Sequence, residues 1–285
     1  MACRATLKRT RFAPSPTGPL HLGHAYAALV AQSRADPGQF LLRIEDIDRS
    51  RCRPTWEAAI YDDLAWLGLA WQTPVWRQSD RLPAYRSALN HLISLGLCYP
   101  CRCRRADIRA ALSAPQEGGP DGPCYPGTCR DRTMHDATPT DAIRLNMARA
   151  LAQIGASLSF TETGAGTGGA ASGVHALSEE WLITTCGDII ISRRDLGTSY
   201  HLAVVVDDAA QGITEVTRGE DLFAATQIHR VLQALLGLPT PLYHHHPLIR
   251  DEFGKRLAKR DDARALAKFR AEGATAQDIR RMVGL

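Results

Sequence analysis

No run of about 18 or more apolar residues occurs in this 285-residue chain, which excludes a membrane-spanning helix. Met1–Thr10 carries basic side chains but no apolar core, so no secretory signal is expected. The phosphate-cradling pattern G-x-x-x-x-G-K-[ST] is missing as well. A glycine-rich run, 164–169, lies within a Gly/Ala/Ser/Thr-rich stretch over 155–176, which reads as a flexible surface loop. Net charge is small, +4, and the segment from Arg250 onward accounts for all of it with ten Lys/Arg against six Asp/Glu. Such a basic segment suits a polyanionic partner or a solvated helix surface. Cysteine is a minor component, eight residues, yet it concentrates between Cys98 and Cys129. In a cytoplasmic enzyme that clustering favours metal binding over cross-links. Apolar residues at 45% and charged ones at 22% are ordinary for a globular protein, and the length allows one Rossmann-sized domain with an insertion.

The most informative stretch runs from Arg11 to His24, RFAPSPTGPLHLGH. A short strand over 6–12 precedes it and an apolar helix over 25–34 follows. The intervening prolines and glycines forbid regular structure, giving a tight strand-to-helix loop. Such a loop turns backbone N–H groups and the positive helix end toward an anion. His21 and His24 are three apart and project from one face, and Gly23 lets a ligand lie against the backbone. By spacing alone the two imidazoles could equally cap or pack.

Further along, 39–44 reads as a buried strand ending in Glu45-Asp46-Ile47-Asp48, a place where parallel α/β sheets bind ligands. Asp46 and Asp48 are expected to cap the helix that Pro54 and Thr55 open before 56–67. Another amphipathic helix covers 80–95. Close thiol pairs in Cys98-Tyr-Pro-Cys101-Arg-Cys103 and Cys124-Tyr-Pro-Gly-Thr-Cys129 have the arithmetic of a structural zinc site. Counted as thiols alone, the ligands are Cys101, Cys103, Cys124 and Cys129. Strands are expected over 141–146, 187–193 and 213–217, and a helix over 222–236 capped by Asp221 and ended by Gly237. Three consecutive histidines, His244-His245-His246, cannot converge on one metal, since neighbours on a strand face opposite ways. They read as structural, with one touching a nucleotide. Near the end, Gly254-Lys255-Arg256-Leu257-Ala258-Lys259-Arg260 precedes a helix over 262–270.

His21-Leu22-Gly23-His24 resembles the HIGH signature of class I aminoacyl-tRNA synthetases, and R-F-A-P-S-P-T-G resembles its glutamyl and glutaminyl version. Residues 256–260 resemble the KMSKS loop, with Arg256 for the first lysine, Ala258 for serine and Lys259 retained. The block around Tyr200–Asp208 and Arg218–Asp221 resembles the second half of the same catalytic fold. The resemblance implies an α/β Rossmann-type parallel sheet with a zinc-containing insertion and a short helical C-terminal segment. It divides the chain into 1–97 and 181–249 as halves of the catalytic domain, 98–180 as the insertion, and 250–285 as loop and tail.

The resemblance also implies site residues. Arg11, Ala13, Ser15, Glu45, Tyr200 and Arg218 would bind glutamate, with Glu45 on the α-ammonium group. His21, Gly23, His24, Arg256, Leu257 and Lys259 would bind ATP with its Mg²⁺, and His21, His24 and Lys259 would be catalytic. For zinc it replaces Cys124 by a tyrosine, giving Cys101, Cys103, Tyr125 and Cys129, with Cys124 as the softer rival. The implied reaction is ATP-dependent formation of glutamyl-adenylate. Only 25 residues follow Arg260, so the chain is expected to be a catalytic core standing alone, as in glutamyl-queuosine tRNA(Asp) synthetases. Those enzymes transfer glutamate to queuosine in the anticodon of tRNA(Asp). The expected partners are thus ATP, glutamate and that anticodon stem-loop, with no membrane, for a cytoplasmic monomer. The rival expectations are a truncated or discrete glutamyl-tRNA synthetase charging the 3′ end of tRNA(Glu), a related nucleotidyltransferase and a non-catalytic zinc-stabilised RNA-binding paralogue.

Overall fold

The computed structural model describes residues 7–104, 106–108, 122, 124–164, 171–249 and 264–285. In chain order its elements begin β1 (Thr10–Phe12), α1 (Leu22–Arg34), β2 (Phe40–Ile44), α2 (Pro54–Trp66), β3 (Gln72–Arg77) and α3 (Leu82–Ser94). They continue with β4 (Cys98–Cys101), β5 (Ala142–Leu145), α4 (Met147–Ile154), β6 (Ser159–Glu162), β7 (Gly173–Ala176) and β8 (Ile190–Ser192). The last are α5 (Tyr200–Ala210), β9 (Glu215–Gly219), α6 (Ala225–Leu235), β10 (Leu242–His246), α7 (Leu266–Ala271) and α8 (Ala276–Met282).

β2 shows why the sheet is parallel. All five of its residues are buried, which requires cover on both faces and suits a crossover fold with helices on either side. β1 pairs parallel with β2, and β2 with β3. β9 pairs parallel with β10, and β10 with β6. The Arg9 carbonyl accepts from the backbone N–H groups of Thr214 and Glu215 at 3.0 and 3.2 Å, laying β1 beside β9. The strand order is therefore β3-β2-β1-β9-β10-β6, with β7 antiparallel on the outer edge. The order reverses between β1 and β9. In such folds the ligand crevice opens at that reversal, outside the carboxyl ends of the strands. A separate antiparallel sheet, β4-β5-β8, carries the first of the clustered cysteines.

One apolar core lies between α1, α2 and β2 and includes Ile279 and Val283 from the C-terminal end. Leu266 N–H donates to Leu20 O at 2.8 Å, and Ala265 bridges His21. The C-terminal helices thus return to the loop before α1. Among the described residues no helix is long and apolar enough to cross a membrane.

Three expectations are corrected. The stretch 155–176 is not simply a loop where it is described: β6 and β7 form an antiparallel pair at the sheet edge, with Phe160 and Glu162 turned inward, while most of the glycine run, 165–169, lies outside the described residues. Its small-residue composition conceals a strand whose alternation rests on those two side chains. Asp46 and Asp48 do not cap α2, whose N-cap, Arg53, makes no side-chain cap and is followed by Pro54. Asp46 instead accepts from the Ser79 N–H and hydroxyl at 2.8 and 2.6 Å, and Asp48 accepts from Ser50 and Arg51 at 2.6 Å each. Asp221 lies within a 3₁₀ turn, Glu220–Leu222, and α6 begins later, after Ala224. Gly237 follows α6 with φ 62°, the left-handed geometry that favours glycine there.

Candidate active site and metal centre

The loop between β1 and α1 is fixed by two backbone bonds to the segment after β2. Glu45 N–H donates to Pro14 O and Arg53 N–H to Pro16 O, both at 3.0 Å. This brings Ser15 and Glu45 to one place. His21 is the N-cap of α1 rather than part of it, and its Nδ1 accepts from the Gly23 N–H at 3.1 Å. His24 reaches back, its Nδ1 accepting from the His21 N–H at 3.2 Å. Two imidazoles thus form a reciprocal capping box, with ring centres 3.8 Å apart. A Cβ on Gly23 would stand 3.0 Å from the His21 ring, so glycine admits the ring over the helix start. Capping has a chemical consequence. Each Nδ1 accepts, so in its neutral form each ring carries its proton on Nε2, the nitrogen turned away from the cap. The cap and the anion-binding roles are compatible.

The amino-acid pocket candidates converge at the sheet's reversal point. Arg11, on β1, donates through Nε to Asp208 Oδ1 at 3.0 Å and through Nη1 to Thr217 O at 3.1 Å. Asp208, near the end of α5, also accepts from Arg43 Nη1 at 2.7 Å, and Arg43 Nη2 reaches Glu45 at 3.5 Å. Burial alone would raise the Asp208 carboxyl, but Arg11 and Arg43 hold it below the usual range. Burial pushes Glu45 up against the pull of the same two arginines. Tyr200 opens α5 and keeps 37% of its surface exposed, while burial pushes its hydroxyl up in the combined field of Arg218, Glu45, Arg11 and Asp208. Arg218, on β9, is buried beside His229 and His245. Five expected residues, Arg11, Ser15, Glu45, Tyr200 and Arg218, together with Ala13 on the same loop, therefore surround one region. Arg256, Leu257 and Lys259 lie outside the described residues.

Sequence reasoning passed over Arg43 and Asp208 as site residues, yet both carry a signal. Arg43 is the one charge in the strand Phe-Leu-Leu-Arg-Ile, and Asp207-Asp208 ends the apolar run Ala-Val-Val-Val. Charges buried at such places need partners.

The cysteine centre lies on β4 and the loop over 124–132. The sulfurs of Cys101, Cys103 and Cys129 lie within 4.8 Å of one another. The Tyr125 hydroxyl stands 3.5 Å from Cys101 Sγ and 3.4 Å from Cys103 Sγ, and Cys103 and Cys129 sulfurs are 3.6 Å apart. A tetrahedron with Zn–S of about 2.3 Å and Zn–O of about 2.0 Å has edges of roughly 3.8 Å between sulfurs and roughly 3.5 Å from sulfur to oxygen. The two Tyr125 edges and the Cys103–Cys129 edge match that spacing, and the Cys101 sulfur lies within 4.8 Å of the other two, so the donor set fits the ion. Cys124 is outside the group: a Cβ on Gly187 would stand 2.5 Å from its sulfur. Arg144, on β5, donates to Cys101 Sγ at 3.3 Å and stacks 3.8 Å above the Tyr125 ring. Burial favours the neutral Cys129 thiol, but hydrogen bonds from Tyr125, the Arg102 backbone and Cys103 bring it to about 7.

The family described as tRNA synthetases class I (E and Q), catalytic domain, matches residues 8–285. The chain belongs to this family. A Rhodobacter capsulatus protein named glutamyl-Q tRNA(Asp) synthetase is 60% identical over 97% of this chain and 99% of its own length. One of that name from Symbiobacterium thermophilum is 40% identical over 94% of this chain and 83% of its own. The chain is accordingly a ligase-type enzyme grouped with the glutamyl-Q tRNA(Asp) synthetases. Its fold is similar to that of a glutamate tRNA ligase from Elizabethkingia meningosepticum, solved with its amino acid. That likeness has a TM-score of 0.73 at 23% identity, covering 98% of this chain and 61% of that one. The family fold accounts for the parallel sheet and its reversal.

Proposed function

We propose that the protein activates L-glutamate with ATP, without tRNA, and then transfers it to the queuosine base in the anticodon of tRNA(Asp). The observation that carries this is the convergence of Arg11, Glu45, Tyr200 and Arg218 where the strand order reverses, with the loop after β1 leading to the imidazole-capped start of α1. The glutamate α-carboxylate attacks the α-phosphorus of ATP and pyrophosphate leaves. The Nε2–H groups of His21 and His24, with the end of α1, donate to the phosphoryl oxygens as charge grows there. Lys259 joins them from the KMSKS-like loop, with Arg256 and Leu257 on the nucleotide, and Mg²⁺ accompanies the phosphates. Gly23 contributes by leaving room for the His21 ring over the start of α1.

Glu45 receives the α-ammonium, and Ser15 and Tyr200 orient the substrate through hydroxyls beside Ala13. Arg11 and Arg218 favour a γ-carboxylate: glutamine would leave the buried Arg218 without a carboxylate partner among the described residues, while Arg11, already paired with Asp208, adds its positive field. Cys101, Cys103, Tyr125 and Cys129 would hold a structural zinc, which ties β4 to the loop over 124–132 within the 98–180 insertion. The acceptor rests on the 60% identity to the Rhodobacter capsulatus protein and its name. Cytoplasmic location and a monomeric state complete the proposal.

Glutamate-dependent ATP–pyrophosphate exchange in the absence of tRNA tests the first step. Labelling of tRNA(Asp) with and without queuosine tests the second. Labelling that needs an intact 3′ end, and not the modified base, overturns the proposed acceptor. No exchange at all leaves the RNA-binding alternative in possession of the site.

A further inference from the structure

Arg218 is held by a buried string of side chains whose proton positions follow from one fact: a guanidinium has five donors and no acceptor. Its Nε donates to His245 Nε2 at 3.1 Å, its Nη1 to His229 Nδ1 at 3.0 Å and its Nη2 to Thr226 Oγ1 at 2.8 Å. Both imidazole nitrogens must therefore be bare. His245 then carries its proton on Nδ1 and donates to Glu162 Oε2 at 2.5 Å. The other Glu162 oxygen accepts from the backbone N–H groups of His245 and Gly164, at 2.9 and 2.7 Å. On the other side, His229 carries its proton on Nε2 and donates to His201 Nδ1 at 3.0 Å. The string crosses β6, β10 and β9, where His245 lies directly opposite Arg218, and continues through α6 to α5. Glu162, His201, His229 and His245 are all buried, with at most 3% of their surface exposed.

We propose that His229 and His245 are positioning residues that set the guanidinium of Arg218 for a substrate carboxylate, with Glu162 and His201 fixing their tautomers from either end. This rests on the proposed role of Arg218 in binding glutamate. Three of the five N–H groups are engaged among the described residues, and the two left, one on each terminal nitrogen, are a pair suited to a carboxylate. Side-on pairing through Nε is already taken by His245. A second proton on His229 would set donor against donor toward Arg218, and burial with the Arg218 charge accordingly holds its pKa well below the ordinary histidine value. Burial lowers His245 also, outweighing the pull of Glu162. His229 and His245, both held neutral beside a fixed cation, keep the arginine still.

Long-range ¹H–¹⁵N NMR of the full chain, labelled at histidine, tests the tautomers directly. His229 is expected as the Nε2–H form and His245 as the Nδ1–H form, both neutral at pH 7. The opposite tautomer at either residue overturns the proposal without any variant being made. In glutamate-dependent pyrophosphate exchange, His229→Leu is expected to raise KM for glutamate roughly 10-fold or more, the scale of one buried donor left unsatisfied. KM for ATP should hold, and His229→Gln, which keeps an acceptor and a donor, should recover most of the loss. Arg218→Gln separates the two ideas. If it raises the glutamate KM and His229→Leu does not, the positioning role fails alone. An unchanged KM in Arg218→Gln removes the carboxylate role on which it rests.

Discussion

Replacing Asp208 by asparagine tests how far the pocket depends on a single buried carboxylate. Asp208 Oδ1 accepts from Arg11 Nε at 3.0 Å and Arg43 Nη1 at 2.7 Å, and both guanidiniums are almost wholly buried. Removing one partner of a buried ion pair costs about 3–5 kcal/mol, because the surviving charge stays desolvated. Here the lower end applies: Arg43 keeps Glu45 at 3.5 Å and Asp207 at 3.9 Å, while Arg11 keeps the Thr217 carbonyl. A loss of about 3 kcal/mol, with a urea m-value of about 3 kcal/mol/M for a chain of this size, moves the unfolding midpoint down by about 1 M. The arginines hold the Asp208 pKa below its unfolded value of about 3.9, so the stabilisation is fully present above that value and is lost as pH falls through the native one. Urea titration by tryptophan fluorescence at pH 7.5 should show the full difference, and the wild-type and variant midpoints should approach each other only in strong acid. The untethered Arg11 should also raise KM for glutamate about ten-fold, with KM for ATP unchanged, equivalent to about 1.4 kcal/mol. Equal midpoints at pH 7.5 together with an unchanged glutamate KM would refute the claim that this carboxylate organises the pocket.

Tyr125→Phe should weaken zinc binding on the order of 10²-fold in competition with a chromophoric chelator, since one of four ligands is lost, whereas Cys124→Ala should change it little. The reverse order would move the fourth ligand to Cys124. Arg11→Gln should narrow the preference for glutamate over glutamine in pyrophosphate exchange by about ten-fold or more, and an unchanged ratio removes Arg11 from recognition. Asp63, buried in α2, has its carboxyl pushed up to about 6 by burial, against the pull of Arg270. Because the native value lies above the unfolded one, stability falls as pH rises from about 4 to about 6. Asp63→Asn should therefore stabilise the protein at pH 7.5 on the order of 1–2 kcal/mol and leave it unchanged near pH 4, as read from urea midpoints; a destabilised variant at pH 7.5 would contradict that sign.

What the sequence makes legible is local, and what it hides is set by the direction in which neighbours point. The loop after β1 is readable because proline, glycine and histidine act within a few residues, and β2 because a continuous apolar run needs cover on two faces. The string at Arg218 draws on residues 162, 201, 226, 229 and 245, of which only His245, within the triple-histidine run, is conspicuous in its own segment. They meet only because β9 and β10 pair with Arg218 opposite His245, a register no single segment encodes. The cysteine centre shows the same limit at the scale of one residue. Counting thiols selects Cys124, but the donor beside the three sulfurs is the hydroxyl of its neighbour Tyr125, while the Cys124 sulfur packs toward Gly187. Spacing in a sequence locates a cluster, whereas the turn of the backbone between two adjacent side chains decides which of them enters it. Where a buried charge interrupts an apolar element, as at Arg43 and Asp208, that turn can still be inferred, because an unpaired charge in the core would be too costly to persist.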